Sequence, residues 1–243
     1  MNRRLLIIVL MAYLLPLGMQ AQQGTFRFAQ LTDIHLTPNN PNPTEDLLRS
    51  VAQINATDSI DFVLVTGDLT EEGDRTTMEK VKSCLDLLKV PYHVVLGNHE
   101  TKWSDSGCTA FGEIFGGERF EFEHKGFLFL GFNSGPLMRM AYGHVVPQDI
   151  RWMTEEMEKN GKDKPVILVT HYPLMEGDVD NWYEVTDAVR PYNVRLFIGR
   201  REYFEFGRRA SVDGASGRQH GELAQSDAQQ PVRQRRETGL RHL

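Results

Sequence analysis

The chain has 243 residues, 40% of them hydrophobic, enough for one large domain or two small ones with an ample core. Residues 200–243 hold nine Arg, no Lys and six acidic residues, for +3, and Arg3 and Arg4 add +2, so the net −6 leaves −11 on residues 22–199. So acidic a body excludes a general nucleic-acid surface, which needs basic stripes to contact phosphates.

Arg3-Arg4 precede an apolar run from Leu5 to Leu15, a break at Pro16 and Met19-Gln20-Ala21. That is the order of charge, apolar segment and small residue in a secretory signal peptide. Residues 1–21 are expected to be removed and the protein to be exported, periplasmic or secreted. The run is shorter than the ~20 residues of a bilayer-spanning helix, so no stable membrane span is expected after cleavage.

From Thr25 the pattern is strand, loop, helix, repeated. Phe26 to Leu31 alternates and stops at Thr32-Asp33-Ile34-His35. A Pro/Asn-rich loop, Pro38 to Pro43, leads to Thr44 as the expected N-cap of a helix that uses Leu47, Leu48, Val51 and Ile54. Phe62-Val63-Leu64-Val65 is a continuous apolar run, as a strand covered on both faces should be, and it ends at Thr66-Gly67-Asp68. A second helix is expected over about Arg75 to Lys89, with Cys84 in its apolar pattern as a buried free thiol rather than half of a disulfide with Cys108. Pro91 then opens a strand that stops at Gly97-Asn98-His99-Glu100.

Thr101 to Gly117 reads as loop with one helical turn near Phe111 to Phe115. Phe120 to Glu123 and Phe127 to Leu130 alternate around His124-Lys125-Gly126, a hairpin suited to a second sheet. Pro147 opens a helix through Trp152, Met153 and Met157, closed by Asn160-Gly161. Pro165 to Val169 is a buried strand ending at Thr170-His171-Tyr172-Pro173; Asn181 to Val189 is helical and Val194 to Ile198 is the last strand.

The order β-α-β-α-β with short connections implies parallel strands and right-handed crossovers, so the first three strands end on one edge. Topology thus gathers Asp33, His35, Asp68, Asn98 and His99 from distant parts of the chain. These are oxygen and imidazole donors without a thiolate, a set suited to Zn, Mn, Fe or Co. A shared carboxylate such as Asp68 can serve two ions, and two ions roughly 3.5–4 Å apart can clamp a phosphoryl group and generate a bound hydroxide for in-line attack.

The series Asp33-Ile34-His35, Gly67-Asp68, Gly97-Asn98-His99-Glu100 and Thr170-His171-Tyr172-Pro173 resembles the calcineurin-like metallophosphoesterase superfamily. Each motif alone is weak; four in order, each at a strand end, are specific. The resemblance implies an α/β fold, a four-layer α/β/β/α metallophosphoesterase sandwich over residues 22–199. It implies that Asp33, His35 and Asp68 ligate one metal and that Asp68, Asn98 and His171 ligate another, the two being divalent or trivalent Mn, Fe, Zn or Co. It implies that His99 contacts phosphate and protonates the leaving oxygen, for which an imidazole is suited, with Glu100 as outer support. The implied reaction is hydrolysis of a small phosphomonoester or phosphodiester. The alternative is a catalytically impaired or non-enzymatic member that binds a phosphorylated ligand or a protein partner.

His93, His124 and His144 match no motif and are expected to be structural or surface residues, Trp103, Trp152 and Trp182 to be packing, and Glu71-Glu72 to be solvated. Glu71 stands where purple acid phosphatases carry a metal-binding tyrosine, which separates the chain from that branch. Thr101-Lys102 departs from the Phe-Asp continuation of exported 5′-nucleotidases.

The superfamily pattern requires one more motif, Gly-His-x-His, supplying one histidine to each metal. Val194 to Gly199 is the expected lead-in, but it runs into Arg200-Arg201-Glu202-Tyr203. His220 and His242 lack ligand spacing. Residues 200–243 are therefore expected to be an aberrant, disordered tail on a fold incomplete at its C-terminal side. A reading-frame error or gene truncation between Gly199 and Gly214 is favoured over a genuine divergent tail, because out-of-frame translation of a GC-rich gene yields Arg-, Ala-, Gly- and Gln-rich sequence. Translating the gene in the other two frames past codon 199 tests this.

Overall fold

The computed structural model describes residues 25–137 and 140–200, and the backbone of residues 202–205, 208–211 and 224–227. The expected signal peptide lies outside the described residues.

A first sheet is built from β1 (Arg27–Leu31), β2 (Phe62–Thr66) and β3 (Tyr92–Val95), paired in parallel in sequence order. The crossovers are α1 (Asn42–Ala56) and α2 (Arg75–Leu85). A π-helical turn, His99–Trp103, and a short α3 (Thr109–Phe115) lead to the hairpin β4 (Phe120–His124) and β5 (Phe127–Gly131). β5 then runs parallel to β6 (Val166–Val169), and β6 to β7 (Val194–Gly199), with α4 (Pro147–Asn160) and α5 (Trp182–Val189) on the connections.

Period-two burial makes the layers. Ala29, Leu31, Val63 and Val65 face Leu47, Val51, Met78, Val81 and Phe111 on the helices over the first sheet. Leu128, Leu130, Val166 and Leu168 face Met153, Met157, Val185 and Val189 on the other side of the molecule. Phe28, Phe62, Leu64 and Val95 meet Phe129, Ile167, Val169 and Ile198 between the sheets, where the Phe28 and Phe62 rings stack 5.6 Å apart at 4°. Each such buried Val, Leu, Ile, Phe or Met contributes about 1.5–3 kcal/mol. The result is the α/β/β/α sandwich that the resemblance implied.

Three details differ from expectation. α1 starts at Asn42, ahead of Thr44, because Pro43 in its first turn has its φ preset for helix and no N–H to satisfy. α2 is capped by Asp74, which accepts from the Thr77 N–H at 2.9 Å, and it ends at Leu85, where Leu87 and Leu88 switch to bonds three residues back. The third concerns the tail. β8 (Glu202–Glu205) and β9 (Arg208–Ser211) extend the second sheet antiparallel beyond β7, and β10 (Ala224–Asp227) pairs antiparallel with β1. Composition gave no sign of these strands because ladder bonds use the main chain, which any non-proline sequence supplies to an open edge. The rest of the tail lies outside the described residues.

Candidate metal centre

The parallel strands end at one rim, and the backbone there is unusual. Of six non-glycine residues with positive φ among the described residues, three are Asp33 (53°), His35 (49°) and Asp68 (52°). A left-handed residue costs an L-amino acid about 1–2 kcal/mol and persists where surroundings enforce it. The enforcing contacts are backbone bonds between loops: the Asp33 N–H to the Gly67 carbonyl at 3.2 Å, His35 to Asp68 at 3.0 Å, and Leu36 to Leu69 at 3.0 Å. Gly67 and Gly97 stand back to back. A Cβ on Gly67 would lie 2.6 Å from Gly97 Cα and 2.8 Å from His171 Nδ1, and one on Gly97 would collide with Asp68 N and Oδ1. Only glycine lets these two strand ends approach closely enough to share a ligand cluster.

On this frame the expected ligands converge. His35 Nε2 stands 3.8 Å from Asp33 Oδ1 and 3.8 Å from Asp68 Oδ2. His171, carried in from the second sheet, places Nε2 3.2 Å from the same Asp68 Oδ2 and 3.1 Å from Asn98 Oδ1. Its Nδ1 lies 2.6 Å from the Thr66 carbonyl, which can only accept, so Nδ1 carries the hydrogen and Nε2 is the atom turned to the cluster. Asp68 and His171 are fully buried, and Asp33 nearly so.

The electrostatics follow from two inward carboxylates. Burial pushes the Asp68 carboxyl up, but the hydrogen bond and charge of His171 more than offset it and hold Asp68 well below the usual carboxylate range. Asp33 is likewise lowered, burial being outweighed by His35 and Arg200. The Asp33 hydrogen bond raises His35 against its own desolvation, and Asp68 raises the wholly buried His171. Two ionised carboxylates surrounded by imidazoles are a site built for positive charge. Ligand atoms about 2.0–2.2 Å from a first-row ion stand roughly 3–3.5 Å from one another, which is the distance of His171 Nε2 from the Asp68 and Asn98 oxygens. The residues fit a metal.

His99 flanks the cluster rather than entering it. Its backbone N–H donates to Asp68 Oδ1 at 3.1 Å, and its Nδ1 lies 2.6 Å from the Glu71 carbonyl, so Nδ1 carries the hydrogen here too. Its ring meets that of His35 edge-on at 4.6 Å. Glu100 is fully buried and accepts from Leu69 N (2.9 Å), Thr70 N (3.1 Å) and Gly97 N (2.9 Å), tying the Asp68 loop to the Asn98 loop.

A family model described as calcineurin-like phosphoesterase matches residues 26–199. The chain belongs to the calcineurin-like phosphoesterase family. A curated relative from Nostoc sp., named 3′,5′-cyclic-nucleotide phosphodiesterase, is 24% identical over 152 residues, 60% of this chain and 56% of its own length. One from Arcobacter nitrofigilis, named probable glycerophosphodiester phosphodiesterase, is 27% identical over 130 residues, 50% of this chain and 45% of its own. The chain thus spans about half the length of these relatives. Among solved structures, a purple acid phosphatase from yellow lupin aligns at a TM-score of 0.41 and 16% identity, covering 64% of this chain and 32% of the other.

Two residues at the site of this calcineurin-like phosphoesterase chain were not anticipated. Glu71, expected to be plain solvated surface, is half exposed but sets Oε2 3.2 Å from His35 Nδ1. The signal in the sequence was its position, where purple acid phosphatases carry a metal-binding tyrosine; the Leu36–Thr70 bridge is what brings its loop against the Asp33–His35 loop. Arg200, assigned to the aberrant tail, brings Nε to 2.6 Å from Asp33 Oδ1 and Nη1 to 3.9 Å from Asp68 Oδ2. It directly follows a strand that ends at the same rim. Among the described residues the histidines outside the motifs lie elsewhere: His93 stacks on Phe122 at 3.8 Å, His124 stands 3.4 Å from Asp61, and His144 lies 2.7 Å from Asp180. Trp152 lies 5.4 Å beneath the Arg119 guanidinium, and Trp103 is half exposed. Cys84 and Cys108 are free thiols.

Proposed function

We propose that this chain is a metal-dependent phosphoesterase acting on a small phosphodiester. The observation that carries the proposal is the convergence of donors from both sheets on one carboxylate oxygen of Asp68. By the family pattern Asp33, His35 and Asp68 are the donor set for one ion and Asp68, Asn98 and His171 the set for a second, Mn, Fe, Zn or Co being suited to such donors. Bound ions supply Lewis-acid stabilisation of phosphoryl charge and acidify water.

The remaining work falls to side chains of this chain. His99 keeps its Nδ1 hydrogen on the Glu71 carbonyl, so Nε2 is the nitrogen that takes up a proton from solvent and hands it to the leaving oxygen, returning to the neutral ring. Glu71 places a carboxylate oxygen 3.2 Å from the far nitrogen of His35, adding negative charge behind that imidazole. Glu100 fixes the two loops whose spacing sets the donors. The names of both curated relatives, each a phosphodiesterase, support a diester over a monoester.

The test is hydrolysis of bis(p-nitrophenyl) phosphate and p-nitrophenyl phosphate after reconstitution with Mn²⁺, Zn²⁺, Fe²⁺ or Co²⁺, with Asp68→Ala as control. Turnover of the diester that is lost in Asp68→Ala is expected; equal background rates in the two proteins would sink the proposal. A second reading, a catalytically impaired member that binds a phosphorylated ligand or a protein partner, is favoured by the Arg200 contact to Asp33. It predicts metal binding without turnover in the same assay. We further propose export through the N-terminal leader; a mature protein starting near Gln22 in the extracytoplasmic fraction is the expected result, and an intact N-terminus in the cytoplasm the contrary one.

A further inference from the structure

Arg200 is held at the rim by its backbone rather than by its charge alone. Its N–H donates to the His171 carbonyl at 2.6 Å, and the preceding Gly199 carbonyl accepts from the buried Gln30 side chain at 3.0 Å. Gln30 also donates to Thr66 Oγ1 at 2.8 Å, so one amide ties β7 to β1 and β2 just below the site. From that anchor the guanidinium reaches the Asp33 oxygen that faces His35, and it lies nearer Asp33 (2.6 Å) than Asp68 (3.9 Å).

The two halves of the centre are therefore unequal. In the half made by Asp68, Asn98 and His171, the His171 Nε2 turned inward stands 3.1 Å from Asn98 Oδ1 and 3.2 Å from Asp68 Oδ2. In the half made by Asp33, His35 and Asp68, His35 Nε2 stands 3.8 Å from each carboxylate, and a permanent cation already sits on Asp33. Guanidinium stays charged at any pH a protein survives, so a metal entering this half must displace it.

We propose that Arg200 is the resident cation of the Asp33 half, so that this chain takes up one metal ion, at Asp68, Asn98 and His171, where its pattern of donors would otherwise hold two. The proposal rests on the metal reading of the site. It gives the residue that stands in place of the missing histidine motif a binding role: one ion and one guanidinium flank the shared carboxylate.

The experiment uses the full chain, stripped with chelator and titrated calorimetrically with Zn²⁺ and separately with Mn²⁺, with metal content measured after desalting. One ion per chain is expected in the parent, weakened about 10–100-fold or more by His171→Ala, since even lesser changes around a metal cost that much. Arg200→Gln is expected to bind two, the second lost again when His35→Ala is added. Two ions in the parent, one ion in a folded Arg200→Gln, or undiminished affinity in His171→Ala would each overturn the proposal while leaving the metal reading intact. No binding by either the parent or Arg200→Gln would overturn both. Should Arg200→Gln fail to fold, the parent stoichiometry and the His171→Ala affinity still decide the matter.

Discussion

Glu100 is the residue on which the spacing of the candidate ligands depends most directly, and its removal has a calculable cost. Its carboxylate is wholly buried and is the acceptor for three main-chain N–H groups, two from the Asp68 loop and one from Gly97. Glu100→Ala strands those donors at about 1–3 kcal/mol each. Two effects shrink the total. Water entering the vacated space can satisfy part of the debt, and the native carboxylate is itself disfavoured by burial and by the nearby Asp68 charge, which raise its pKa. A net loss of about 3–5 kcal/mol is the expected outcome, the size seen when one partner of a buried charged network is removed. Glu100→Gln keeps the shape but turns one acceptor into a donor facing a donor, so it should cost about 1–3 kcal/mol. Equilibrium urea unfolding of the metal-free proteins measures both, and metal titration should show weaker binding in the same order. A Gln variant within ~0.5 kcal/mol of the parent, or an Ala variant less damaging than Gln, would refute the assignment of Glu100 as the clamp between the loops.

Three further outcomes are expected. Gly97→Ala drives a Cβ into the Asp68 backbone and carboxylate; a loss of about 1–3 kcal/mol in thermal unfolding should accompany weaker metal binding, and parent-like values of both would show that the close approach is dispensable. His99→Ala keeps the backbone N–H on Asp68, so the parent's metal content should persist while diester turnover falls about 10²–10⁴-fold; unchanged turnover would remove His99 from the proton-transfer role. Burial pushes His93, stacked on Phe122, down to about 4. The unfolded chain, with His near 6.5, binds the proton first, so the stability advantage of neutral His93 is full above that pH and disappears as pH falls towards 4. After discounting for partial exposure, about 1–2 kcal/mol is expected, read as the difference in urea unfolding between the parent and His93→Phe from pH 7 to 4; a pH-independent difference would contradict it.

Much of the architecture was legible because it rests on period and punctuation. Continuous apolar runs such as Phe62–Val65 and Pro165–Val169 are buried on both faces, and each ends where polar residues begin, so the rim could be assembled from topology. The ends of helices were less legible. Thr44 looked like a cap because its hydroxyl could accept a bond, yet Pro43 had already set the first turn. The left-handed backbone of Asp33, His35 and Asp68 has no signature in residue type, since it is imposed by loop-to-loop bonds between segments more than thirty residues apart. Glu71 was missed for a related reason. A half-exposed acid carries no periodic signal, and only the pairing of its loop with the His35 loop brings it to the imidazole.

Arg200 shows how the missing motif and the intact rim coexist. The Asp68, Asn98 and His171 donors depend on Glu100, on the Gly67–Gly97 contact and on the Thr66 carbonyl, none of which lies beyond residue 199. The loss of histidines after Gly199 therefore leaves that half of the centre supported, along with His99, whose two anchors are Asp68 and Glu71. The other half is different. Asp33 would face His35 and Asp68 with one protein ligand fewer, and a buried carboxylate cannot be left without compensating charge. A chain that emerges from β7 at this rim, with its first N–H already fixed on His171, meets that need with the first cation it carries. On the proposed reading the departure from the family pattern acts on the number of ions held, while His99 and Asp68 keep the surroundings that the fold gives them.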